Sequence, residues 1–152
     1  NLFPDAIRQD LPRLVELLAA PRPTDELFLI GRRQLKSNNS WLHNLPKLRR
    51  GNHRCTLLVN PRDAARLGVV AGLARLSSRV GELEVEVELS EDMAPGVVSL
   101  PHGWGHKRHG GQLASGSPGV NVNTLTDDAA FDPLTGNSVL NGVPVRLTPL
   151  AS

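Results

Sequence analysis

The sequence predicts a mainly β fold, a closed β-barrel of about six strands with one or two short helices and long loops between them. Three observations carry that expectation. The apolar runs are short, and glycine, proline or asparagine stops several of them, which is how strands are punctuated. Leu83, Val85, Val87 and Leu89 alternate with Glu82, Glu84, Glu86 and Glu88, the period of a half-buried strand. Between successive runs no periodic stretch is long enough for the crossover helix that an alternating α/β sheet needs, so a barrel is the better architecture.

Taken in order, Asp10 is expected to cap a short helix over Leu11–Ala20, with Pro12 in its first turn and Leu14, Leu17 and Leu18 on an apolar face. Pro21-Arg22-Pro23 ends it, so residues 1–24 read as an appended helix and Pro-rich linker, and residues 25–152 as the barrel. Leu27–Ile30 is a buried strand stopped by Gly31, with a ligand loop directly after it. Cys55–Val59 is a second buried strand, followed by Asn60 as an N-cap, a short helix and a Gly68 stop. Leu73–Val80 and Leu83–Leu89 form a hairpin about Gly81-Glu82, and its four glutamates share one solvated face instead of gathering round a metal. Met93-Ala94-Pro95-Gly96 turns into a strand at Val97–Leu100, and Leu140-Asn141-Gly142 turns into a last strand at residues 143–147.

With 152 residues, 39% of them apolar, the chain can bury one core, and a single barrel domain is expected. Seventeen basic and fifteen acidic side chains leave a formal charge of only +2, and no tyrosine is present to stack on bases, so nucleic acid is not an expected partner. One cysteine excludes an internal disulfide and any cysteine-rich zinc or iron–sulfur site carried by this chain alone. Cys55 reads as a buried strand residue and not a nucleophile. No apolar stretch reaches the length of a membrane span, and none reads as a signal peptide. A cytoplasmic location is expected, with an export signal on a longer chain left open, since the opening on Asn1 fits a piece of a longer protein.

Leu100–His106 and Pro118–Asp128 carry the functional signal. They pack glycines, amides, hydroxyls and imidazoles into stretches that cannot be helix, and glycine lets a backbone approach a ligand closely. Arg32 and Arg33, directly after the first strand, are expected to meet phosphate, and Ser37, Asn38, Asn39 and Ser40 add four short polar side chains. Trp41 is expected to pack as a lid on that loop. Glycines and Pro101 break the helical spacing of His102, His106 and His109, which argues against zinc. Asp127, Asp128, Asp132 and Asn137 lack the glycine and glutamate of a calcium loop, and no nucleophile elbow occurs. A large anionic cofactor fits these loops better than a catalytic triad.

The order Leu29-Ile30-Gly31-Arg32, then Asn60-Pro61-x-Asp63-Ala64-x-x-Leu67-Gly68, Arg79-Val80-Gly81, Pro95-Gly96-Val97-Val98, Asn123-x-Leu125-Thr126 and Asp132-Pro133-x-x-Gly136 resembles the C-terminal domain of molybdopterin oxidoreductases. This is the dimethyl sulfoxide reductase family, which includes formate dehydrogenases and nitrate reductases. The resemblance covers roughly residues 25–148 and rests on several weak motifs in the right order.

The resemblance implies a double-psi β-barrel that holds part of a molybdopterin guanine dinucleotide, with molybdenum bound through the cofactor and other domains. Its cofactor contacts would be Gly31, Arg32, Arg33, Ser37, Asn38, Asn39, Ser40, His102, Gly103, Trp104, Gly119, Asn121 and Asn123. The family's metal ligand lies upstream, so no catalytic residue and no metal ligand is expected here, and an iron–sulfur cluster could belong only to a full-length protein. The implied partners are the remaining domains of the same oxidoreductase and an unidentified electron-transfer partner. Two departures stand out: Ala71-Gly72-Leu73 replaces a frequent Asp-Gly-Asp turn, and Ser37–Ser40 lacks the frequent histidines. Two other readings share the fold: a stand-alone barrel of the aspartate-decarboxylase type self-processing at Gly116-Ser117, and a non-enzymatic binding barrel.

Overall fold

Six short runs with apolar side chains at their inward positions become strands: β1 (Glu26–Arg32), β2 (Thr56–Val59), β3 (Gly72–Ser77), β4 (Glu82–Leu89), β5 (Val97–Pro101) and β6 (Val143–Pro149). The computed structural model describes residues 3–49, 51, 55–106, 116 and 118–150. His109 and Ser117 lie outside them. The strands close into a barrel in the order β1-β5-β2-β4-β3-β6. Pairs β1–β5 and β2–β4 are parallel and the other pairs antiparallel, the double-psi arrangement. Inward positions supply the core: Leu27 and Leu29 from β1, Leu57 and Val59 from β2, Leu76 from β3, Val85 from β4, Leu100 from β5 and Val145 from β6. Each such side chain contributes about 2 kcal/mol by leaving water.

The hairpin forms as expected, with Arg75 opposite Glu84 and the glutamates of β4 exposed. Its turn is longer than expected. The β3 arm stops at Ser77, and Ser78 donates its N–H to the Gly81 carbonyl at 2.8 Å. Asn60 caps helix α3 (Pro61–Leu67) by accepting from the Arg62 N–H at 2.8 Å, and its amide also ties the Met93 carbonyl at 2.7 Å. Gly68 ends α3 at φ 67°, a left-handed value that glycine adopts without strain. Asp63 is buried in α3, where it accepts from Arg66 at 2.7 Å and from the Gly96 N–H at 2.6 Å, fixing the turn that launches β5.

The first helix and first strand depart from expectation. Helix α1 spans Asp5–Ala19 with Pro4 at its N-cap, so Asp10 does not cap it and Pro12 lies well inside. Two i,i+3 pairs, Asp5–Arg8 and Asp10–Arg13, favour the earlier start. No α1 residue is buried; Val15, Leu17 and Leu18 are 64%, 59% and 68% exposed. Gly31 does not stop β1, because its neighbour β5 continues alongside and pairs Gly31 with Leu100 and Arg32 with Pro101. A helical turn at Pro46–Arg49 (α2) and a 3-10 turn at Val122–Leu125 add to the expected elements.

Arg32 turns back into the barrel wall and not outward to a ligand. Its guanidinium donates to the carbonyl of Ser99 on β5, and to the carbonyl and hydroxyl of Thr56 on β2 at 2.6 and 3.1 Å. Thr56 donates its own hydroxyl hydrogen bond to Glu88 of β4 at 2.7 Å. Burial lowers the Arg32 pKa from the ordinary arginine value, and the Glu88 carboxylate pulls it back. Replacing Arg32 by Ala leaves two carbonyls short of a donor and should cost about 2 kcal/mol, read as a lower urea midpoint. An unchanged midpoint would show that the clamp contributes nothing.

Cys55 is buried just before β2, and Val120 donates its N–H to the sulfur at 3.4 Å. Burial pushes the thiol pKa up, with the Val120 contact and Arg32 opposing, so the unreactive thiol is favoured. The folded chain should alkylate at Cys55 much more slowly than the urea-unfolded chain at the same pH. Equal rates would mark the thiol as accessible.

Candidate functional site

Because β1 and β5 run parallel and end together at Arg32 and Pro101, the loops that follow them leave the same end of the barrel side by side. His102 extends the pairing by donating its N–H to the Arg32 carbonyl at 3.2 Å. Its imidazole lies where a Cβ on Gly31 would stand, so only glycine at 31 lets His102 cross the strand.

The loop after β1 folds as a series of tight turns. Ser37 is buried and donates to the Gln34 carbonyl at 3.0 Å. Asn38 and Asn39 follow at φ 43° and 60°, left-handed values that asparagine tolerates better than most side chains. The Arg33 guanidinium donates to Asn39 Oδ1 while staying exposed. Asn39 backs its peptide directly onto Gly103, so the β1 and β5 loops touch where a side chain at 103 would not fit.

The third segment joins through Pro118 and Gly119. Gly105 and His106 both donate N–H groups to the Pro118 carbonyl, at 2.6 and 3.2 Å. A Cβ on Gly119 would stand 2.7 Å from Cys55 Sγ and 2.9 Å from Trp104 Cε3, so this segment sits directly on the Trp104 indole. Asn121 packs against Gly105 and caps the 3-10 turn by accepting from the Asn123 N–H at 3.1 Å. Val122 and Leu125 of that turn point into the core, which leaves Asn123 and Thr124 outward.

Residues of segments 31–43, 102–106 and 118–123 therefore meet at one barrel end, and every residue expected at the site belongs to one of them. Arg33, Asn38, Asn39, Asn121 and Asn123 are exposed, whereas the Arg32 guanidinium and Ser37 are turned inward. Trp41 is 82% exposed, so it is no packed lid; the neighbouring His43, 6% exposed, fills that place. His43 does not stand out in the sequence as a site residue, and His106 does so only as part of the Leu100–His106 stretch. A histidine in a polar loop has no periodicity to betray its burial.

Among the described residues no group of three or more His, Cys, Asp or Glu side chains gathers as metal ligands, and no helix is long and apolar enough to cross a membrane. A separate cleft of about 520 Å³ is lined by Ser77, Arg79, Leu125, Asp127, Val143 and Arg146 among others, and contains none of the expected site residues. Arg79 and Asp127 pair across it, and that contact lowers the Asp127 pKa.

Among curated proteins, the chain is 31% identical over 121 residues to the arsenate respiratory reductase molybdopterin-containing subunit of Chrysiogenes arsenatis, covering 74% of this chain and 14% of that relative. It is 27% identical over 157 residues to a tetrathionate reductase subunit of Salmonella typhimurium, covering 86% of this chain and 15% of the relative. The chain thus spans about one seventh of the length of these two relatives. Among solved structures, acetylene hydratase from Pelobacter acetylenicus shares the fold over 98% of this chain and 20% of its own, with TM-score 0.66 and 22% identity. Residues 27–144 match the family described as the molydopterin dinucleotide binding domain, and they hold β2 to β5, all of β1 but Glu26, and the first two residues of β6, together with the three converging segments. The chain belongs to the molydopterin dinucleotide binding domain family.

Proposed function

We propose that this chain binds a molybdopterin guanine dinucleotide at the loop end of its barrel, as one domain of a larger molybdenum-dependent oxidoreductase. The observation that carries the reading is the meeting of segments 31–43, 102–106 and 118–123, which brings the exposed donors and acceptors of Arg33, Asn38, Asn39, Asn121 and Asn123 to one end of the barrel.

The donor set fits such a group. Pterin and guanine rings present edges of alternating donors and acceptors, and an exposed carboxamide can answer either. Asn38, Asn39, Asn121 and Asn123 offer four of them. The Arg33 guanidinium stands beside Asn39 as an exposed cation for the pyrophosphate. Ser40 and the backbone of Gly103 and Gly119 would line the floor, His102 and Trp104 would supply flat faces, and Gly31 and Arg32 would hold the wall behind them. When bound, the molybdenum and its dithiolenes would supply the redox chemistry, and this chain orients them and sets their electrostatics. The rest of the polypeptide would supply the metal ligand, and any iron–sulfur cluster too, because Cys55 is the only thiol in the sequence.

Arg33→Ala and Asn123→Ala, each made in the longer protein, should lower bound molybdenum and pterin, each weakening affinity about tenfold. The barrel's unfolding midpoint should not move, because neither side chain is buried. Wild-type cofactor content in both variants would show that the contacts lie elsewhere. The 152-residue chain alone should turn over no reductase substrate; molybdenum-dependent activity from it would overturn the division of labour between this domain and the rest of the polypeptide.

A further inference from the structure

We infer that His43 is a positioning residue for the loop end of the barrel: its ring props the Trp104 indole, and its Nδ1 accepts a hydrogen from His106, so that the three loops share one support. The consequence for the cofactor rests on the reading above; the contact itself does not.

His43 is 6% exposed, whereas Trp41, Leu42, Asn44 and Leu45 on either side of it are exposed or half-buried. Its ring centroid lies 4.3 Å from that of Trp104 at 45°, and 4.9 Å from that of His106, edge on at 84°. Nδ1 of His43 is 2.8 Å from Nε2 of His106, and that same Nε2 is 2.9 Å from the Gly103 carbonyl. A carbonyl oxygen only accepts, so His106 Nε2 carries the hydrogen and shares it between Gly103 and His43. Nδ1 of His43 is therefore an acceptor, and the His43 proton sits on Nε2.

Each loop leans on this group. The β1 loop supplies His43, and the β5 loop supplies Trp104 and His106. The Pro118–Asn121 segment rests on Trp104 through Gly119 and on Gly105 through Asn121. None of the three aromatic side chains belongs to the barrel core. Losing His43 should therefore loosen the loops while the strands stay closed.

The test uses the 152-residue chain carrying Trp41→Phe, which leaves Trp104 as the sole indole. In that background His43→Ala should shift Trp104 emission to longer wavelength and raise its quenching by acrylamide severalfold, with the far-UV circular dichroism of the closed barrel retained. His43→Asn, whose Oδ1 can stand close to the place of Nδ1, should recover much of the shielding. His106→Ala removes the donor instead and should reproduce the exposure, and it serves as the reading if His43→Ala does not fold. Unchanged emission and quenching, or no recovery in His43→Asn, would overturn the inference. In the longer protein His43→Ala should lower molybdenum and pterin content severalfold. A loaded wild type with an equally loaded His43→Ala would overturn it too. A wild type that holds no pterin, with the Trp104 response intact, would leave the loop support standing and remove the cofactor reading instead.

Discussion

The parallel register of β1 with β5 is the constraint from which the rest of this structure follows. Two parallel neighbours that end at the same level must send their outgoing chains from the same rim. Antiparallel neighbours would send them from opposite rims, and no loop chemistry could then bring Asn39 against Gly103. Arg32 secures that arrangement by bonding to β5 and β2 at once, and Thr56 carries the link to Glu88 on β4. A charged group is used here where an apolar side chain would leave backbone carbonyls without partners.

Contact between loops then depends on what is missing as much as on what is present. A Cβ at 31, 103 or 119 would occupy the volume of His102, of the Asn39 peptide, or of Cys55 and Trp104. These glycines serve close approach of protein to protein, although they read in sequence as room for a ligand. The exposed side of the same loops is made instead from asparagine carboxamides and Arg33. The cysteine is part of the same packing: its sulfur lies under Gly119 and Val120, and the desolvation that keeps it unreactive comes from the loops closing over it.

Much of the barrel is legible in the sequence because strands obey a period. Leu83 to Leu89 fix both the hairpin and its inward face, and the Asn60 cap and Gly68 stop follow from local chemistry that needs no tertiary partner. The start of α1 is not legible, because Asp10 has the chemistry of a cap and equally that of a partner for Arg13. Gly31 reads as a stop and is none, because strand continuation is decided by the neighbouring strand, here β5. For the candidate site, composition points to three segments that the fold brings together, but not to the direction of any one side chain. Arg32 turns inward and Arg33 outward, and Trp41 and His43 exchange the roles of exposed and covered residue. Adjacent residues of one type in an aperiodic loop carry no sign of which way each faces.

Helix α1 keeps Val15, Leu17 and Leu18 in water, and a lone helix of this length is only marginally stable without an apolar neighbour. Leucines held on an open helix attract one another at high concentration. The state of the free 152-residue chain in solution should therefore vary with how much of it is present, and whatever covers α1 in a longer polypeptide would act as a guard against self-association as well as a structural neighbour.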